Sequence, residues 1–178
     1  MEARRACSDD GSAIESLHQE ARRALPPLWW WKECLVSDPF VVIEHEGIVV
    51  GALFAWPDES PVAWVRLAVL DNELDTDEWL ALALPPVLDG LHRLGSQTLA
   101  WMDYGGWAGP SLKAYGFKRL TDVITLTKCD RVLPAVSPAR AFLRPASESD
   151  IPAVAAADRA AFAPHWWHSG TTMRRRTT

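Results

Sequence analysis

Phe40-Val41-Val42-Ile43-Glu44-His45-Glu46-Gly47-Ile48-Val49-Val50-Gly51-Ala52-Leu53-Phe54 is the stretch from which the fold is read. Two runs of β-branched and aromatic residues flank a short polar break that ends in glycine, which is a hairpin signal. A third strand is predicted over residues 63–69, behind the turn Asp58-Glu59-Ser60-Pro61, completing an antiparallel meander. Upstream, residues 12–23 set Ile14, Leu17 and Ala21 at helical spacing behind Ser12, an amphipathic helix that Pro26-Pro27 breaks. A short second helix is predicted over 28–35. Downstream, residues 76–94 place Trp79, Leu80, Ala83, Val87, Leu88 and Leu91 on one helical stripe closed by Gly95. Pro85-Pro86 inside that stripe predicts a kink or a break into two helices. Thr98-Leu99-Ala100-Trp101-Met102 reads as a buried strand, 108–114 as a short helix and 123–127 as a last strand.

The chain has 178 residues, 48% hydrophobic and 23% charged, enough for one well-buried core and too short for two of average size. A net charge of -5 and a pI near 5.5 argue against a nucleic-acid surface and favour small-molecule or protein partners. Cys7, Cys34 and Cys129 are far apart and odd in number, so they offer neither a disulfide framework nor a CxxC metal pattern. No apolar run approaches the ~20 residues that cross a bilayer, and no signal-peptide core follows the N-terminus. The expectation is a cytoplasmic protein without membrane attachment. Tryptophan, at ten residues against two tyrosines, needs a local explanation.

An internal repeat supplies one. Leu25-Pro26-Pro27-Leu28-Trp29-Trp30-Trp31 lines up with Phe162-Ala163-Pro164-His165-Trp166-Trp167-His168, and Arg5-Ala6-Cys7-Ser8-Asp9-Asp10 with Arg144-Pro145-Ala146-Ser147-Glu148-Ser149. The two matches occur in order and enclose similar helical stretches, so a duplicated domain is the better reading. The alternative is a single domain with a C-terminal helical extension. The division expected is a domain over 1–129, a Pro-interrupted linker over 130–140 and the truncated start of a second domain over 141–178.

Helix, helix, three-strand meander, long helix, strand, short helix, strand is an order that resembles the GNAT acyltransferase superfamily. Ser111-Leu112-Lys113-Ala114-Tyr115-Gly116-Phe117-Lys118-Arg119-Leu120 is similar to that family's helix-to-final-strand junction, and Arg144-Pro145-Ala146 with Asp150-Ile151 to its opening strand and helix. The resemblance spans 5–129 and again 141–168, and tandem GNAT proteins are a known arrangement. It implies a mixed α/β (α+β) fold, a mainly antiparallel sheet flanked by helices, with a C-terminal helical extension. It also implies transfer of an acetyl group from acetyl-CoA to a small-molecule or peptide amine, with a second GNAT domain or a homodimer as the protein partner.

The resemblance places the CoA diphosphate on main-chain N–H groups ahead of the long helix, where the helix dipole favours negative charge. The corresponding cofactor residues are Val69, Leu70, Asp71 and Thr76, in a loop, Leu70-Asp71-Asn72-Glu73-Leu74-Asp75-Thr76-Asp77-Glu78, that holds five carboxylates, no glycine and no basic residue. That chemistry repels a diphosphate, and the carboxylates also suit a capped helix start. The position of the family's Tyr acid is Leu112, leaving Tyr104 and Tyr115 as candidate acids and Glu44, with Glu46 or His45, as candidate base. Trp29, Trp30 and Trp31 fall where the family binds its acceptor, with Trp56 and Trp107 as companions, and at least one of the three should be exposed or cover a groove. No histidine pair has metal-ligand spacing. Two functions follow, an acyl-CoA-dependent N-acyltransferase and a non-catalytic GNAT-fold domain that packs on a partner or binds a ligand.

Overall fold

A computed structural model describes residues 1–26, 30–57, 62–124, 144–168, 170 and 173–174. Its centre is the predicted meander: β3 (Phe40–His45), β4 (Ile48–Pro57) and β5 (Val62–Leu70), each antiparallel to the next. His45 pairs with Ile48, so the hairpin loop is Glu46-Gly47. Both residues have positive φ, 52° and 80°, the backbone that a tight two-residue hairpin demands. β1 (Glu2–Arg5) adds to the outer edge of β3, giving the order β1-β3-β4-β5.

The far edge of β5 is shared. β6 (Thr98–Ala100) runs parallel to it over Val62, Ala63 and Trp64, and β2 (Arg23–Ala24) pairs antiparallel at Val69 and Leu70. β6 is shorter than the predicted 98–102 and only partly buried. Thr121, Asp122, Val123 and Ile124 form no strand, with Val123 58% and Ile124 81% exposed. The remainder of the last predicted strand and the linker 130–140 lie outside the described residues.

Alternation along the strands sends Val41, Ile43, Leu53 and Ala55 to one face and Phe40, Val42, Ala52 and Phe54 to the other. On β5 the parity shifts where Phe54 pairs with Leu67 and Ala55 with Val65, leaving Arg66 as the extra residue of a bulge. The first face is covered by α2 (Thr76–Arg93) and α3 (Gly109–Ala114), with Trp79, Leu80, Leu84 and Val87 fully buried. Gly51 makes that packing possible: a Cβ there would stand 2.6 Å from Trp79 Nε1. The second face is covered by α1 (Gly11–Glu20) with Ala21 just beyond it, through Ile14, Leu17 and Ala21, and by Trp30 and Trp31.

Two local expectations are corrected. α2 is unbroken through Pro85 and Pro86, since burial of Ala83, Leu84 and Val87 against the sheet outweighs the two missing N–H donors. Of the second predicted helix, the described residues form only a 3-10 turn, Trp31–Cys34, preceded by Trp30 with non-helical φ and ψ of -97° and 9°, while residues 28 and 29 lie outside the described residues. That break from α-helical spacing lets both Trp30 and Trp31 reach the same core. Among the described residues no helix is long and apolar enough to cross a membrane.

Candidate functional site

The start of α2 and the adjoining edge of β5 form the place where the sequence puts a cofactor. Beyond Trp64, where β6 leaves β5, the edge of β5 at Ala68, Val69 and Leu70 is taken by the chain's own backbone. Ala24 pairs with Val69, Arg23 with Leu70, and the Leu25 N–H donates to the Ala68 carbonyl at 2.8 Å. Val69 and Leu70 also pair with Ala52 and Gly51 on β4, so both candidate strand residues are paired on their two sides.

The loop that follows is tied down from the same segment. Arg23 Nη2 donates to the carbonyls of Asp71 (2.9 Å), Asn72 (2.9 Å) and Leu74 (2.6 Å), and its Nη1 donates to Thr76 Oγ1 at 2.9 Å. Asn72 receives the Arg22 N–H at 2.9 Å and donates to the Glu20 carbonyl at 3.1 Å, which joins the end of α1 to the loop. The helix start is capped by Asp75, whose Oδ1 accepts the N–H groups of Asp77 (2.8 Å) and Glu78 (3.1 Å). Asp71 Oδ1 accepts the Glu73 N–H at 2.8 Å in the same way. Three of the N–H groups that an anion could use, those of Glu73, Asp77 and Glu78, are therefore engaged by carboxylates of the loop itself.

The candidate chemical residues are not brought together. Glu44 is on β3, two strands from the free edge of β5, and accepts from Arg4 Nε at 2.7 Å. Tyr104, in the turn after β6, is 48% exposed and Tyr115, at the end of α3, 40% exposed, and among the described residues the side-chain hydrogen bond of Glu44 is to Arg4 rather than to either tyrosine. Leu112, at the position of the family's acid, is buried in the core. Trp30 and Trp31 are 5% and 7% exposed and pack on Phe54, Trp56 and Phe40, while Trp29 lies outside the described residues. Trp107 belongs to a separate cluster with Trp79 and Trp101, whose ring centroids are 6.0 to 6.2 Å apart. Among the described residues no group of three potential ligands could hold a metal ion.

Arg23 and Asp75 decide the state of this site, and the sequence reading missed the first because it extended α1 to residue 23. The signal present was Arg22-Arg23-Ala24-Leu25, a basic pair before two apolar residues at the end of a polar helix.

The two stretches aligned in the sequence share a bonding pattern. Arg4 forks onto Asp10 with contacts of 2.9 and 2.7 Å, and the Cys7 N–H donates to Asp10 Oδ2 at 2.8 Å. Arg144 forks onto Asp150, and the Ser147 N–H donates to Asp150 Oδ2 at 2.8 Å. Arg4 and Arg144 each also donate to the next residue's carbonyl, at 3.2 and 3.1 Å. Each fork is followed by a 3-10 turn, Ser8–Asp10 or Glu148–Asp150, and a helix, α1 or α4 (Ile151–Ala161). Arg144 thus corresponds to Arg4 rather than Arg5, one residue from the alignment expected. Beside Arg4 the Asp10 carboxyl is lowered to about 2, and Arg144 likewise holds Asp150 below the usual carboxylate range.

No family model and no curated protein matches the chain. Solved structures do. Aminoglycoside N-acetyltransferase AAC(6')-Iy in complex with CoA is 16% identical, with 71% of this chain and 98% of that chain covered and a TM-score of 0.57. TTHA1254 from Thermus thermophilus is 19% identical over 76% of this chain and 100% of its own, with a TM-score of 0.53. Ribosomal-protein-alanine N-acetyltransferase from Brucella melitensis is 18% identical over 68% and 86%, with a TM-score of 0.54. At such identities the likeness is one of fold: the chain has the mixed, mainly antiparallel architecture of the GNAT acetyltransferases.

Proposed function

We propose that residues 1–129 form a GNAT-fold domain that does not itself carry acetyl-CoA and serves as the packing partner of a second GNAT-like domain, of which 141–178 is the opening segment. Acyl transfer from acetyl-CoA to a small-molecule or peptide amine is then the work of the second domain. The observation that carries this reading is that residues 23–25 already pair with the β5 edge at Ala68, Val69 and Leu70, and that Asp75 already accepts the helix-start N–H groups of Asp77 and Glu78. A diphosphate would have to displace Asp75 and then sit among five carboxylates. A single carboxylate ~4 Å from a phosphate at an effective dielectric of ~20 costs ~4 kcal/mol, about three decades of affinity. These residues do not fit the group. The fork repeated at Arg144 and Asp150 supports the assignment of 141–178.

Titration calorimetry with acetyl-CoA tests the reading: no heat is expected at millimolar ligand, and micromolar binding would overturn it. A second reading, an active N-acyltransferase using Glu44 as base and Tyr104 or Tyr115 as acid, is favoured by the CoA complexes among the structures that share the fold. Micromolar binding would favour that reading instead.

A further inference from the structure

In the first domain, α1 and the residue after it are seated on the sheet by Ile14, Leu17 and Ala21, which pack against the cluster of Phe40, Val42, Ala52, Phe54, Leu67 and Val69. Ile14 is fully buried. The register fixed by the two Arg–Asp forks carries these three positions onto Val154, Ala157 and Ala161 of α4, all apolar and all exposed, with Val154 at 47%. In the Pro-Trp alignment Leu25, 3% exposed, has its counterpart in Phe162, 56% exposed. α4 is instead buried through Ile151, the counterpart of buried Gly11, and Ala155, the counterpart of exposed Glu15, so that Val154 stays outside where Ile14 goes in. The segment after it is anchored on the first domain by Trp166, whose ring centroid lies 5.1 Å from that of Trp64, while Trp64 Nε1 donates to the His165 carbonyl at 2.8 Å.

We infer that the Val154-Ala157-Ala161-Phe162 face of α4 is a docking surface for a β-sheet of this same fold, a meander face like that of β3, β4 and β5 which lacks a first helix of its own. The inference rests on the reading of 141–178 as the start of a second domain and names the surface by which that domain is completed. The occupant is identified inside the molecule, because α1, built on the same fork and the same apolar spacing, shows what covers this stripe. A generic apolar ligand would not require the three positions to keep helical register with Ile14, Leu17 and Ala21.

The sheet of the intact chain is the probe, with its own first helix expelled. Thermal midpoints are measured for the parent, Val154→Asp, Ile14→Asp and the double variant. Val154→Asp alone shifts the midpoint by no more than ~1 °C, as expected for an exposed position. Ile14→Asp places a charge in the core and drives α1 off the sheet. α4 then takes the vacated seat, within one chain or between two, so a cooperative transition persists and amide protection moves from α1 to α4. In that background Val154→Asp lowers the midpoint by a further ~10 °C or abolishes the transition.

If aspartate at position 14 unfolds the chain outright, Ile14→Ala with Leu17→Ala, which loosens the seat of α1 without burying a charge, takes its place in the same cycle. Equal, small effects of Val154→Asp in both backgrounds, with no gain of protection in α4, would overturn the inference. Acetyl-CoA has no part in this experiment, so its outcome and that of the calorimetric titration stand or fall separately.

Discussion

Asp10→Asn should cost the protein about 2 kcal/mol at neutral pH, whereas the sequence-equivalent Asp150→Asn should leave the midpoint unmoved. Asp10 is 5% exposed and accepts three hydrogen bonds, two from Arg4 and one from the Cys7 N–H. The Arg4 guanidinium is the chief cause that lowers its carboxyl from 3.8 to about 2. The fall from 3.8 to about 2 corresponds to about 2 kcal/mol of stability held by the ionised form. Because the folded value lies below the unfolded one, the contribution is complete above about pH 4 and is lost as pH falls through about 2.

Asparagine imitates the neutral carboxyl. The variant should therefore melt ~6–10 °C below the parent at pH 7 and converge on it near pH 2. Arg144 and Asp150 make the same fork nearer the surface, with side chains 66% and 24% exposed against 35% and 6% for Arg4 and Asp10, and there solvent screens the pair. Differential scanning calorimetry of the three proteins from pH 7 to 2 reads both effects. An Asp10→Asn deficit that persists undiminished at pH 2, or an equal deficit for Asp150→Asn, would refute the argument that burial decides what the repeated fork is worth.

Arg23→Ala removes four hydrogen bonds from the loop ahead of α2 and should lower stability by about 2 kcal/mol in denaturant titration without producing acetyl-CoA binding, because Asp75 still holds the helix-start donors. Gly51→Ala puts a methyl group 2.6 Å from Trp79 Nε1 and should cost ~1–3 kcal/mol, with a change in tryptophan emission as the indole is displaced.

The meander, α1 and α2 were legible because their apolar periodicities agree with local turn and cap chemistry. The Glu46-Gly47 turn and the Asp75 cap are short-range features. β2 was not legible: two residues cannot show a period, and they are ordered by a partner strand far along the chain, at Val69 and Leu70. The state of the candidate site was hidden for the same reason, since Arg23 reaches Asp71 and Leu74 only through tertiary folding. The loop's acidity was readable, yet which N–H groups its carboxylates cap was not. For the tryptophans, nothing in the sequence showed that Trp30 and Trp31 both enter the core while Trp166 meets Trp64. Fold likeness at 16% identity leaves the chemistry to be argued from such residues.

The paired prolines of α2 reach beyond local geometry. Each costs ~3 kcal/mol or more against alanine in a helix interior, so this segment has no autonomous tendency to coil. It is held by the sheet that buries Trp79, Leu84 and Val87, and that sheet in turn has no other cover over most of one side among the described residues. Neither layer survives without the other. Melting of the sheet and α2 is therefore all-or-none, with the amides of residues 76–93 exchanging in the same event as those of the central strands rather than by fraying ahead of them.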